Sequence, residues 1–414
     1  MLAGLASFPM LLSPEDRRAF QLDPCLPGHP DPYPIYAALR EECAVQWCEG
    51  PQMWVVLGYP EAEALMRDPR ILRQAHLDSL LKRFGEGRIF ERQKADLPYM
   101  DGEPHASARR HVMAAYRGID MGALSVFCDQ FICERLEMLA KGEWIDLMSA
   151  FAAALPVAVT SELMGVPADQ QQDVLQHVGS FVRARGLSQN EGTAKGGDDS
   201  MEVYARYFLP LIHERRRQPC GDLLSRLLHD PEQGISFSDE QLLLFVSSNF
   251  YSASLYTVPL LIGSMALLLA RQPEVYQRLR REPALLDSAI EEMLRFDPPA
   301  QALNASDAGE AIVIAGQCIA AGDAITALVG AANRDPRAFP EADRFLVDRH
   351  PNHHLSFAPG LHQCLGLQLA RLELRAVLRA WLQRFEAVEV DEGASQRLAA
   401  DRFRGFELLI ARFH

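Results

Sequence analysis

The sequence predicts a mainly α fold with a small β region, and three observations carry that prediction. From Gln241 to Ala270 there is no charged residue, a run far too long for a strand and of helical length. Most other apolar positions recur at helical spacing. Clear alternation is confined to Ala311 to Ile319 and Phe406 to Phe413, with a small hairpin expected over Gln46 to Gly58. With 414 residues, 48% of them hydrophobic, the chain can bury a large core. No internal repeat or linker divides it, so residues 1–414 are expected to form one domain.

Taken in order, Met1 to Leu12 is apolar but short, has no basic flank and stops at Ser13-Pro14, which reads as neither signal peptide nor anchor. A proline-rich stretch, Pro24 to Pro34, leads to a short helix over Pro34 to Glu42. Helices are expected again over Glu61 to Asp68 and from about Arg109 to Leu139. Gly186 to Asp199, with Gly192, Gly196 and Gly197 beside two aspartates, reads as a mobile connection between helices. Ser238 with Gln241 makes a capping box that opens the uncharged helix. A membrane span is the competing reading of that helix. Ser247, Ser248, Asn249, Tyr251, Ser252, Ser254, Tyr256, Thr257 and Pro259 crowd its middle, where lipid would penalise them. A helix uncharged all round and polar at its centre belongs instead inside a large core, beside a site.

The net charge, 41 − 55 = −14, argues against nucleic acid as a partner. Eight scattered cysteines show no zinc-like spacing and read as reduced thiols of a cytoplasmic protein. Cys364 stands apart. It ends Phe357-Ala358-Pro359-Gly360-Leu361-His362-Gln363-Cys364-Leu365-Gly366, directly before a periodic helix. Free N–H groups and the dipole at a helix start favour a thiolate, which can serve as a lone axial metal ligand. Gly360 permits a tight turn, and Gly366 lets a flat macrocycle lie against the backbone. A buried cysteine that merely begins a helix is the plainer alternative.

This loop resembles that of the cytochrome P450 superfamily, in which Phe, Gly, Cys and Gly stand at the positions of Phe357, Gly360, Cys364 and Gly366; Ala358 replaces a usual glycine. The resemblance spans nearly the whole chain. It implies the P450 fold, haem b as cofactor and Cys364 as the iron ligand, whose thiolate favours O–O cleavage. Glu292 and Arg295 share one helix face; alone they read as a surface ion pair, but the resemblance joins them to Arg349 as a structural lock. His105 and Arg109, on one helix face, together with His362, match contacts to the haem propionates. An arginine usual in the strand after the lock is missing: no Arg lies between Arg295 and Arg334.

On the long helix the family pattern falls on Ala253-Ser254-Leu255-Tyr256-Thr257. The step to Glu292 supports that register. The usual acid is replaced by Tyr256, a poor proton source, while Thr257 keeps a hydroxyl that can hold water. Pro259 leaves the Leu255 carbonyl without its helical donor, which could admit a water. Tyr256 reads equally well as core filler. Pocket walls are expected from Leu77 to Met100, Phe181 to Tyr207, Ala300 to Asn304 and Phe403 to Glu407, including Leu303 and Phe406. Arg109, Arg110, His111, Arg117, Arg371 and Arg375 suggest a basic patch for an acidic donor such as a ferredoxin, or simply solvated helix faces.

The function so implied is a monomeric monooxygenase inserting one oxygen atom into a small lipophilic or aromatic secondary-metabolite-like substrate, free or tethered to a carrier protein. Oxidative coupling or desaturation is the alternative that Tyr256 raises. A non-enzymatic haem sensor is a third reading, against which the retained Thr257 stands.

Overall fold

The computed structural model describes residues 12–85, 89–140, 142–167, 171–229, 237–400 and 402–414. The apolar N-terminal stretch, except Leu12, lies outside them. Helices dominate, with a five-stranded sheet, a three-stranded sheet and a two-stranded hairpin around their edges.

In the larger sheet the hairpin Val45–Cys48/Met53–Val56 pairs in parallel with Ala324–Ala327, which pairs antiparallel with Ser306–Ala308, and that strand with Ile71–Leu72. The alternating stretch at 311–319 resolves into two strands, Ile312–Ile314 and Gln317–Ile319, because Ala315 and Gly316 turn through positive φ. Phe406–Phe413 is the middle strand of the three-stranded sheet, as its alternation predicts.

The long helix runs Asp239–Arg271 and passes through the core, with 67% of its most apolar window buried. The Ser238/Gln241 capping box opens it. From Phe245 to Ser252 the winding loosens to a π-turn before the regular helix Ala253–Arg271 resumes straight through Pro259. Such turns re-aim side chains and recur at functional sites. The helix packs on Leu367–Arg384, the helix that Cys364 precedes.

One expected connection is corrected. Helix Glu191–Arg217 takes in most of the glycine-rich stretch and starts on an Asn190/Thr193 capping box. One of its glycines, Gly197, serves packing rather than mobility. A Cβ on Gly197 would stand 2.5 Å from Ala184 Cβ and 2.7 Å from Ile89 Cδ1. Only a glycine lets this helix approach that closely.

Candidate functional site

The Cys364 loop is shaped by its own backbone. Cys364 N–H donates to the Phe357 carbonyl (2.8 Å), and Gln363 N–H to that of Gly360 (3.2 Å). Gly360 sits at φ +89°, where a Cβ would press within 2.9 Å of the Met66 carbonyl oxygen. Ala358, where the family carries glycine, adopts φ +48°, a left-handed conformation that costs an alanine about 1–2 kcal/mol. Phe357 packs partly buried under the Arg371 guanidinium, 4.8 Å from ring to carbon. Gly366 caps the helix Leu367–Arg384, and a Cβ there would meet nothing within 4 Å. The backbone is bare beside open space.

The Cys364 thiol is accessible at the wall of this space, although protein surrounds it on most sides. Burial pushes its pKa up, against the Gly366 N–H and the charges of Arg109 and Arg371. The helix start alone predicts the opposite. Burial prevails because one N–H and two guanidinium charges return less than the hydration a thiolate loses.

Around this loop the structure gathers arginine and histidine side chains. Helix Gly102–Arg117 carries His105 and Arg109. The His105 ring lies against that of His362, tilted 38° with centroids 4.2 Å apart, and Arg109 Nη2 donates to the Gln363 carbonyl (2.7 Å). Arg73 joins them: burial, then the charges of Arg73, His105 and Arg109, press the His362 pKa down to about 3. No spacing in the sequence singles out Arg73.

The lock residues also meet. Glu292 and Arg295 are fully buried in helix Leu286–Phe296. Arg295 Nε and Nη2 donate to the two Glu292 oxygens at 2.7 and 2.8 Å, and Arg349 Nε bridges both at 3.1 Å. Leu346 N–H and Asn352 Nδ2 complete the carboxylate shell. Remaining guanidinium donors reach the carbonyls of Asn333, Ala342, Arg344, Pro340 and Glu341.

On the long helix, residues from Val258 to Leu269 are buried, whereas Ala253 is exposed and Ser254 to Thr257 are partly so. Thr257 Oγ1 donates to the Ala253 carbonyl (2.8 Å). Ser254 Oγ is buried without a hydrogen-bond partner among the described residues. The Tyr256 ring meets Phe403 edge-on at 4.9 Å. Phe406 lies further along, buried against Gly263 and under Arg397, so Phe403 rather than Phe406 reaches the exposed window. Leu303 is half-buried in the sheet region, its N–H donating to the Ala327 carbonyl.

Two features escape sequence reasoning. Asp96, fully buried, accepts from Ser248 Oγ (2.6 Å) and Asn249 Nδ2 (2.7 Å) and pairs with Arg185 (3.2 Å). The Arg185 guanidinium also reaches Ser248 and lies over the Tyr99 and Phe181 rings. This network ties two expected pocket walls to the π-turn, but its members lie too far apart in the chain for a motif. Glu373 is fully buried with both oxygens unpartnered among the described residues, and burial pushes it up to about 8. It could have been found: an acid falls on the same helical face as Leu369, Ala376 and Val377.

The expected basic patch is reduced. His111 is buried and bonded to the Leu227 carbonyl. Arg371 pairs with Glu291, Arg375 with Asp287 and Arg110 with Glu103. Of the six, Arg117 stands exposed with no ion pair among the described residues. A cleft of about 800 Å³ near Tyr33, Asp297 and Arg404 contains none of the candidate site residues.

A haem suits the residues present. They offer an accessible thiol, bare backbone beside it at Gly366, an uncovered window in an otherwise buried helix, and two guanidinium groups, Arg73 and Arg109, without carboxylate partners among the described residues. The comparisons agree. A family profile described as Cytochrome P450 matches residues 195–408. The mycinamicin IV hydroxylase/epoxidase of Micromonospora griseorubida is 34% identical over 349 residues, 82% of this chain and 84% of the relative. Among solved structures, P450BioI in complex with an acyl carrier protein bearing hexadec-9Z-enoic acid matches with a TM-score of 0.82 and 27% identity, over 93% of this chain and 99% of its own. CxnD, a cytochrome P450 for C–S bond formation in chuangxinmycin biosynthesis, matches at 0.80 and 26%, over 92% and 94%. The chain belongs to the cytochrome P450 family. It is a haem-iron oxidoreductase of the monooxygenase type.

Proposed function

We propose that the protein inserts one oxygen atom from dioxygen into a C–H or C=C bond of a small lipophilic, secondary-metabolite-like molecule, with electrons from a separate ferredoxin-type donor. The cofactor is haem b, held by Cys364 as axial thiolate and by His105, Arg109 and His362 at its propionates. When bound, it supplies the oxygen-activating iron. Glu292, Arg295 and Arg349 fix the fold behind it. The chain acts as a monomer and one domain in the cytoplasm, without nucleic acid or membrane.

The observation that carries this reading is the exposed window Ala253 to Thr257 in a buried helix that packs against the Cys364 helix. Thr257 holds a hydroxyl there, bonded back to its own turn and able to orient a water. Tyr256 and Phe403 give the window an aromatic wall, which favours apolar substrates. The hydroxylase/epoxidase relative supports insertion, and the complex of P450BioI supports delivery on a carrier protein. Turnover under labelled dioxygen tests insertion: one labelled oxygen in the product is expected, and an unlabelled product contradicts it.

A second reading, oxidative coupling or desaturation, is favoured by Tyr256 standing where the family carries an acid. Thr257→Ala separates the two. Under insertion it lowers product yield by about tenfold or more and releases peroxide; under coupling it leaves yield nearly unchanged. Tyr256→Asp should raise oxygen-containing product if the missing acid shapes the outcome, and an unchanged product ratio marks Tyr256 as filler.

A further inference from the structure

We infer that Arg73 replaces the arginine missing from the strand after the Glu292–Arg295 helix and binds a haem propionate beside His105, Arg109 and His362. This rests on the proposed haem site. The geometry comes from two directions. Arg73 opens helix Arg73–Phe84, directly after the edge strand Ile71–Leu72. Its Nη1 donates to the Asn304 carbonyl at 2.6 Å. Asn304 lies in the arginine-free stretch between Arg295 and Arg334. Arg402 reaches the same residue from the C-terminal side, bonding its Oδ1. Guanidinium groups from elsewhere in the chain thus converge where the strand itself supplies none.

Charge balance points to an anion. Arg73 and Arg109 are partly buried, and among the described residues neither forms an ion pair. Arg73 Nη1 donates to the Asn304 carbonyl and Arg109 Nη2 to that of Gln363. Asp101 is the acid that acts on Arg73 and His105, and one of its oxygens already accepts the Gln74 N–H at 2.9 Å. Arg73 also occupies the first turn of its helix, the positive end, where a cation is disfavoured and an anion welcome. Partly buried guanidinium groups with carbonyl partners alone are stabilised by a carboxylate that can take the remaining N–H bonds. The two propionates of a haem are such carboxylates.

The test compares native haem with haem dimethyl ester, whose propionates carry no charge. The holoprotein and Arg73→Gln, which keeps an N–H donor for the Asn304 carbonyl, are each loaded with either cofactor, and its loss to a haem-scavenging apoglobin is timed. Arg73→Gln should lose native haem about ten- to a hundred-fold faster than the parent. With the diester the two should agree within about twofold. Arg73→Lys, which keeps the charge, should fall between and covers poor folding of the first variant. Equal loss of native haem overturns the proposal. So does equal acceleration with both cofactors, since Arg73 would then act on the fold alone. Failure of the parent itself to take up haem would overturn the haem reading beneath it.

Discussion

Two charged clusters flank the Cys364 loop, and they are built differently. Around Glu292 one carboxylate takes bonds from Arg295, Arg349, Leu346 and Asn352, and the guanidinium groups spend what remains on carbonyls. That cluster is complete as the chain folds. Around His362, by contrast, Arg73 and Arg109 donate to carbonyls and His105 meets the His362 ring, with no bonded carboxylate among the described residues. The first is a lock within the protein. The second is the cluster that we propose binds the haem propionates.

The sharpest way to break this contrast is Glu292→Ala. Two buried guanidinium groups then lose their acid, a change worth about 3–5 kcal/mol. Insoluble or haem-free protein is expected, and normal haem content on expression would contradict the lock. Arg109→Ala should do the reverse. With no ion pair to break among the described residues, the haem-free protein should lose only about 0.5–1.5 kcal/mol for the bond to the Gln363 carbonyl, while haem retention falls. A large loss of stability without haem would show that this cluster too is internal.

Glu373 extends the comparison to a carboxyl with no hydrogen-bond partner among the described residues. Its pKa is raised from 4.5 to about 8 by burial. The native state therefore keeps a proton that the unfolded chain releases above about pH 4.5, and stability falls as pH rises from there to about 8. The slope is at most about 1.4 kcal/mol per pH unit. Glu373→Gln should flatten this decline, so its melting temperature should gain on the parent's as pH rises across that window. Parallel profiles would mean that Glu373 has found a partner.

The smallest effect is expected at Ala358. Its left-handed backbone costs about 1–2 kcal/mol, and a glycine there regains most of this while giving up about 0.4–1 kcal/mol to the unfolded chain. Ala358→Gly should stabilise by up to about 1 kcal/mol in thermal unfolding, and a destabilised variant would contradict the strain.

What was legible in the sequence follows from chain distance. The Cys364 loop, the Glu292/Arg295 spacing and the Ser238 capping box lie within a few residues, where spacing sets geometry. The helical class was equally plain from one uncharged run and scarce alternation. Arg73 and Asn304, or Asp96 and Arg185, are brought together only by tertiary packing, so no local pattern marks them. The glycines at 192, 196 and 197 misled in the other direction. They read as a loop because propensity sees backbone freedom, whereas they lie in a helix in which Gly197 uses its lack of a side chain for close contact. The π-turn at Phe245–Ser252 likewise leaves no mark in composition.

The central claim is that Cys364 is the sole protein ligand to the haem iron, and the spectrum of the reduced protein with carbon monoxide tests it most directly. The parent should show the red-shifted Soret band of a thiolate-ligated carbonyl complex, and Cys364→Ala should lose it. Retention of that band in Cys364→Ala, or its absence from the correctly folded parent, would contradict the account.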